Sequence, residues 1–176
     1  PDDMSEEVFI EGVRIDNNFT HPNTDALSVY YLGTDAKPIS RFVIQKTRIA
    51  GVGTQGLSDG DGVHPDLMQF QGGVYIDSVI FEKFTGTTMY QGIFAPWSEN
   101  SSFAKQSSWD FREVNIRSED RNTNRLLVTQ NEGFSAETYP VTSFKDVFLS
   151  QTQSHQFGVG SANIHVNPNL RDDSPY

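Results

Sequence analysis

A group of side chains able to transfer protons lies within one short, glycine-containing segment. Asp59, Asp61, His64 and Asp66 occur within eight residues of one another. A carboxylate beside an imidazole can accept a proton from a reacting group or donate one to it. The same pattern also fits a polar turn, because Asp is common in glycine-rich turns. We therefore take His64, Asp66 and Asp61 as candidate catalytic residues, with ordinary turn structure as the alternative.

The same segment offers oxygen ligands of the kind that Ca²⁺ prefers. Asp59 and Asp61 alternate with glycines, but the segment lacks the spacing and the terminal Glu of an EF-hand loop. Three glycines after Ala50 match a dinucleotide-binding pattern, yet an acidic loop follows them where that pattern needs a helix. The sequence therefore predicts no cofactor and leaves open only Ca²⁺ at Asp59 and Asp61.

The charge balance disfavours several classes of partner. The 176 residues include 23 acidic and 13 basic side chains, for a net charge of −10. Such a chain repels phosphate backbones and anionic lipids, so we predict no nucleic-acid binding. No apolar run approaches the roughly 20 residues that a membrane helix needs, so we predict no membrane insertion. The absence of cysteine excludes disulfides and thiolate metal sites. An aromatic content of 12% argues against a disordered chain.

A short apolar motif recurs along the chain at nearly constant spacing. An apolar residue is followed three positions later by Val or Thr, and two positions after that by a large apolar residue. The five copies, 32 to 35 residues apart, are Ile10-Val13-Ile15, Ile44-Thr47-Ile49, Ile76-Val79-Phe81, Phe111-Val114-Ile116 and Phe144-Val147-Leu149. Their β-branched and aromatic composition predicts stacked strands rather than helical repeats of similar length.

Each copy contains a bend and is followed by a second strand-like segment. The three-residue step breaks strict alternation, which predicts a tight bend at Gly12, Lys46, Ser78, Glu113 and Asp146. The second segments are 25–31, 66–71, 91–95, 125–130 and 162–166, and several alternate apolar with polar residues. We therefore predict one all-β domain over residues 1–176, a solenoid of about five coils. Because the chain begins at Pro1 without a signal-peptide pattern, we expect a processed product or a piece of a longer protein.

This organisation resembles the right-handed parallel β-helix superfamily, which includes pectate-lyase-like enzymes, alginate epimerases and lyases, and phage tailspikes. The resemblance spans about residues 8–167. Within it, His64-Pro65-Asp66 and Gln91-Gly92-Ile93-Phe94 are similar to pairs found in secreted bacterial β-helix proteins associated with polysaccharides. The resemblance implies an extracellular, cell-surface or virion protein that holds a polysaccharide in a groove on the second sheet. His64, Asp66 and Asp61 could then serve a lyase, an epimerase or a glycosidase.

The predicted substrate contacts lie on that sheet and in its loops: Tyr30, Gln69, Gln71, Gln91, Trp97 and Arg125. Sugar rings stack on aromatic planes, which suits Trp97 in a polar loop. Arg125 is the only basic residue clearly on the sheet, so a neutral glycan is at least as plausible as an anionic one. The alternative function is a non-catalytic structural or adhesion protein, such as a virion or cell-surface spike. In either case the open ends of a short solenoid predict flanking domains or a homo-oligomer.

Overall fold

The computed structural model describes residues 6–17, 25–30, 33–34, 37–53, 65–71, 74–94, 106–119, 125–128, 141–150 and 164–166. All regular structure in these ranges is β-strand. The strands are β1 (Glu7–Glu11), β2 (Arg14–Asp16), β3 (Leu27–Tyr30), β4 (Ile39–Val52), β5 (Asp66–Gln71), β6 (Ile76–Thr88), β7 (Gln91–Phe94), β8 (Gln106–Ser118), β9 (Arg125–Val128), β10 (Val141–Leu149) and β11 (Ile164–Val166). In the same ranges, no helix has the length and apolar character needed to cross a membrane.

The strands form two parallel sheets. The long sheet has the order β1-β4-β6-β8-β10-β11, with β2 also pairing with β4, and the short sheet has the order β3-β5-β7-β9. From β2 to β10 the chain alternates between the sheets, and strands of successive circuits pair in parallel. The prediction of an all-β chain with parallel stacked strands is confirmed, and this arrangement is consistent with a β-solenoid.

A ladder of stacked side chains forms the centre of the core. Ile10, Ile44, Phe81, Phe111 and Phe144 occupy one register position on successive strands of the long sheet. The rings of Phe81 and Phe111 have centroids 5.2 Å apart, and those of Phe111 and Phe144 are 5.4 Å apart, in both cases stacked. Since parallel strands lie about 4.8 Å apart, equal positions on neighbouring strands bring their rings into contact.

The predicted position of the third copy of the repeat is wrong, because this copy lies five residues further along the chain. Val79 pairs with Phe42 and Trp109, whereas Phe84 pairs with Thr47 and Val114. The true third copy is therefore Phe81-Phe84-Gly86. Gly86 provides no side chain at its position, and a Cβ there would overlap the side chain of Leu67 from the short sheet. Leu67 thus occupies the space that a large apolar residue takes up in the other copies.

The bend in each long strand depends on one residue with positive φ. These residues are Gly12 (69°), Lys46 (48°), Lys83 (54°), Glu113 (53°) and Asp146 (55°). The predicted bend positions are confirmed at four sites, and Ser78 is wrong because Lys83 takes that role. The left-handed residue places two outward positions, 45 and 46, between the buried side chains of Ile44 and Thr47. This step turns the strand while keeping both apolar side chains inside.

Within the predicted segment 162–166, the described residues Ile164–Val166 form a strand, but in the long sheet. Residues Ile164–Val166 pair with Val147–Leu149 of the long sheet, so the prediction that they belong to the second sheet is wrong. Alternation of apolar and polar residues identifies a strand without saying which sheet it joins.

Substituting glycine for Asp146 is expected to stabilise the fold. A left-handed conformation costs a non-glycine residue about 1–2 kcal/mol. Glycine avoids this cost, but it lowers the stability of the fold by about 0.5–1 kcal/mol because it loses more conformational entropy on folding. Asp146→Gly should therefore raise the free energy of unfolding by about 0.5–1 kcal/mol in urea denaturation. Lys145→Gly, at an equally exposed neighbouring position, is the control and should lower it. Equal destabilisation by both substitutions would contradict the role of the bend.

Candidate functional site

The short sheet has an apolar inner face and a polar outer face. In β3, the half-buried Leu27 and Val29 pack against the core, while Ser28 and Tyr30 are exposed. In β5, the ring of Phe70 contacts the rings of Phe42 and Trp109 in the core. Strand alternation then places the neighbouring Gln69, which is half-buried, on the outer face.

Polar and aromatic residues of two coils lie side by side on that outer face. Ser28 is in register with Gln69, and Tyr30 is in register with Gln71. The Tyr30 residue is 47% exposed, which makes it one of the few large apolar side chains open to solvent in the described ranges. Two of the predicted contact residues, Tyr30 and Gln69, thus lie on the same face, and Gln71 is the register partner of Tyr30.

A second row of predicted residues lies where the strands of the short sheet begin. Asp66 is in register with Gln91, which is in register with Arg125. On the other side, the Ala26 N–H donates a hydrogen bond to the Asp66 carbonyl oxygen at 3.0 Å, so Asp25 adjoins Asp66 on the preceding strand. This row runs across the end of the sheet at which its strands begin, which is the arrangement predicted for the starts of these segments.

The carboxyl group of Asp66 is buried and its charge is unfavourable. Asp66 has 0% exposure, and neither of its carboxyl oxygens has a hydrogen-bond partner within the described part of the chain. Burial, followed by the nearby negative charge of Asp25, raises the pKa of Asp66 from 3.8 to about 9. At neutral pH the group is therefore a neutral acid, able to donate a proton rather than accept one.

Asp25, by contrast, has partners for both carboxylate oxygens. The main-chain N–H of Asp66 donates to Asp25 Oδ1 at 2.9 Å, and the Ser28 hydroxyl donates to Asp25 Oδ2 at 2.9 Å. The two neighbouring carboxyl groups thus differ in environment, one buried without partners and one hydrogen-bonded.

Several predicted residues lie outside the described ranges: Asp59, Asp61, His64 and Trp97. Their catalytic, calcium-binding and sugar-binding roles stay predictions. Among the described candidates, Asp66 and Gln91 are buried, at 0% and 6% exposure, so neither presents its side chain on the outer face. Asp25 is the neighbour that sequence reasoning did not assign to the site. Its signal is that Asp25 and Asp66 follow a His-Pro pair and begin equivalent segments.

A close approach of two strands explains the glycine beside Gln91. A Cβ at Gly92 would clash with the main-chain carbonyl of Leu126 on β9. Glycine at this position lets β7 and β9 pair while Ile93 and Leu126 remain buried in the core. The glycine of the Gln91-Gly92-Ile93-Phe94 segment is therefore explained by the pairing of β7 with β9.

The protonation of Asp66 predicts how stability changes with pH. The folded chain holds this proton more tightly than the unfolded chain does, because the pKa is about 9 in the fold and 3.8 as the reference value. The stability contributed by Asp66 is full below about pH 4 and is lost as the pH rises towards 9. Asp66→Asn keeps a neutral side chain of the same shape and has no such loss.

The measurement is urea unfolding of both proteins at several pH values. Between about pH 4 and 9, the variant should gain stability relative to the wild type by up to about 1.4 kcal/mol per pH unit. A difference that does not change with pH would show that the Asp66 carboxyl is not buried as described.

No protein-family model, no curated protein and no solved structure matches this chain. The two rows on the short sheet are therefore the features from which a function of this chain can be inferred.

Proposed function

We propose that the chain is a right-handed parallel β-helix of about five coils that binds an extracellular polysaccharide on the outer face of its short sheet. The right hand is supported by the general preference of parallel crossover connections, which are right-handed in about 98% of cases. The number of coils is supported by the central ladder, which runs through Ile10, Ile44, Phe81, Phe111 and Phe144. The β11 strand begins a further circuit.

The observation that carries this proposal is the exposed ring of Tyr30 beside polar side chains of the same face. A sugar presents a C–H face that stacks on an aromatic ring, and hydroxyls that pair with hydroxyl and amide groups. Tyr30 and Ser28 lie on one strand, and Gln69 lies on the next strand in register with Ser28. Neighbouring parallel strands are about 4.8 Å apart, so these groups can meet one ligand.

The charge of the sheet favours a neutral sugar chain. Arg125 at the start of β9 is the one basic residue on the four strands of the short sheet, since β3, β5 and β7 contain no Lys or Arg, and Asp25 lies beside β3. A polyanion would have to overcome the net charge of −10 with the single basic side chain of Arg125 on these four strands. We therefore infer that the ligand is neutral or lightly charged.

Binding without turnover is the activity that the described residues support best. The catalytic role predicted for Asp66 would require access to the ligand, whereas its side chain has no exposed surface. Catalysis by His64 and Asp61 as part of a lyase, epimerase or glycosidase remains a separate prediction, since those residues lie outside the described ranges.

A structural or adhesion role is the second candidate, and the strand edges of the first coil favour it. In the described ranges, β1 and β3 each pair with only one strand, so each offers a free edge for another chain or a flanking segment. Charged side chains accompany that edge, since Glu7 lies 3.3 Å from Arg41 and Glu11 lies 2.6 Å from Lys46 in ion pairs. Charged edges are typical of strands protected against uncontrolled pairing.

Binding to a panel of neutral and acidic polysaccharides tests the proposal. We expect affinity for a neutral polysaccharide, and we expect Tyr30→Ala to raise its Kd about tenfold through loss of the stacking contact. The matched control is Phe9→Ala, which removes an aromatic residue that is 52% exposed on the long sheet and should leave the Kd unchanged.

The same panel separates the alternatives. Release of oligosaccharides that is abolished by His64→Ala would establish catalysis in addition to binding. Absence of both binding and turnover across the panel would contradict the proposal and favour the structural role. Equal loss of affinity in Tyr30→Ala and Phe9→Ala would place the ligand elsewhere.

A further inference from the structure

The inward side chains of the first circuit, formed by β1, β2 and β3, are less buried than their counterparts on the second circuit. Five apolar residues of the first circuit pack against the core yet stay half-buried: Val8, Ile10, Ile15, Leu27 and Val29. Their register partners on β4 and β5 are at most 3% exposed. Both sets point inward from the same register positions, so the first set is exposed on the side away from the second circuit. The start of the strand stack is therefore an apolar surface.

Two strand edges border this surface. The Gly12 N–H donates to the Gln45 carbonyl oxygen at 3.2 Å, and the Ala26 N–H donates to the Asp66 carbonyl oxygen at 3.0 Å. Because main-chain groups of successive residues point to opposite sides of a strand, those of alternate residues in β1 and β3 point away from β4 and β5. Within the described ranges, no strand pairs with either of these edges. A partner that covers this end must therefore offer two strand edges as well as apolar side chains.

The opposite end of the stack is closed. Phe144, Val147 and Leu149 are at most 4% exposed, and β11 pairs with Val147–Leu149. A head-to-tail contact would need two complementary open ends, and its repetition would produce an open filament. A molecule with one open end can instead pair that end with the same end of a second copy, and such a contact is complete after two copies.

We propose that two copies of this chain associate end to end through their first circuits. A two-fold axis that crosses both sheets would place β1 beside β1 of the other copy, and β3 beside β3, in each case antiparallel. Each sheet then continues across the contact, the free main-chain groups pair, and the half-buried side chains of both copies form one core. Since the exposed Tyr30 lies on β3, both copies would present this residue on one continuous face.

Charge opposes this contact and gives it a characteristic salt dependence. Each copy has a net charge of −10, and the outward residues Glu7 and Glu11 lie on β1. Both carboxylates form ion pairs with the second circuit, through Arg41 and Lys46. Salt screens the remaining repulsion between copies, whereas it does not weaken the burial of apolar surface. The dimer should therefore become tighter as the NaCl concentration rises, and a dimer that weakens with salt would contradict an apolar contact.

Sedimentation equilibrium of the full chain, from micromolar to near-millimolar concentration, tests the proposal. We expect reversible association to twice the monomer mass, without larger species. Val8→Lys should raise the dimer Kd at least about tenfold, because the ammonium group can reach solvent through the open end of a monomer but is buried in the dimer. Phe148→Lys is the control, since it places the same charge at an exposed aromatic position of β10 and should leave the Kd unchanged.

Spin labels locate the contact without changing an inward residue, and the absence of cysteine allows single labels. Glu11 and Lys145 occupy the same register position on β1 and β10, four strands apart in the stack. Because neighbouring strands are about 4.8 Å apart, labels at Lys145→Cys in the two copies should be at least about 40 Å apart. Labels at Glu11→Cys should be much closer together. Double electron–electron resonance measures both distances.

Three results would overturn the proposal. The first is a monomer at every concentration, and the second is a series of larger oligomers, which would show that both ends associate. The third is an equal dimer Kd in wild type and Val8→Lys, or equal label distances at the two positions, either of which would place the contact elsewhere. If circular dichroism shows that Val8→Lys does not fold, Leu27→Lys and the two labels test the same surface. The outcome is separate from sugar binding, because no glycan is present.

Discussion

Parallel register between successive coils is the constraint on which the rest of this structure depends. Once the strands of the long sheet pair in parallel, every position lies directly beside its counterpart about 4.8 Å away. A buried position must then accept the same kind of side chain in each coil, as the stacked rings of Phe81, Phe111 and Phe144 show. An outward position can vary freely, and the surface changes from coil to coil while the core does not.

The same constraint explains two irregular features of the fold, the bends in the long strands and the missing side chain at Gly86. A bend must occur at one position in all coils, and positive φ is indeed found at register-equivalent residues from Gly12 to Asp146. Where one coil departs from the common pattern, a neighbour compensates, as Leu67 does at Gly86. The short sheet follows the same rule at its starting edge, where stacking places Asp25 beside Asp66 although two adjacent acidic groups repel each other. Burial first, and then this repulsion, raises the pKa of Asp66 and keeps its carboxyl group neutral.

How far the sequence predicts this structure depends on the kind of signal. Buried ladder positions require β-branched or aromatic residues, so four of the five copies are recognisable from the sequence. The third is ambiguous because two apolar triplets overlap between Ile76 and Gly86, and a lysine at position 83 has no particular preference for positive φ. The row from Asp25 to Arg125 is predictable because each residue begins an alternating segment. The burial of Asp66 is not, since an aspartate at a strand start normally indicates an exposed turn.

The register of the third coil is the most direct test of this account, and the absence of cysteine makes it simple to measure. Lys46 and Lys83 occupy equal positions on neighbouring strands, whereas Ser78 pairs with Arg41. Paired cysteines form a disulfide when their Cα atoms are about 4.4–6.8 Å apart. After mild oxidation, mass spectrometry should detect an intramolecular disulfide in Lys46→Cys/Lys83→Cys and none in Lys46→Cys/Ser78→Cys. A disulfide in the second pair but not in the first would contradict the stacking described here.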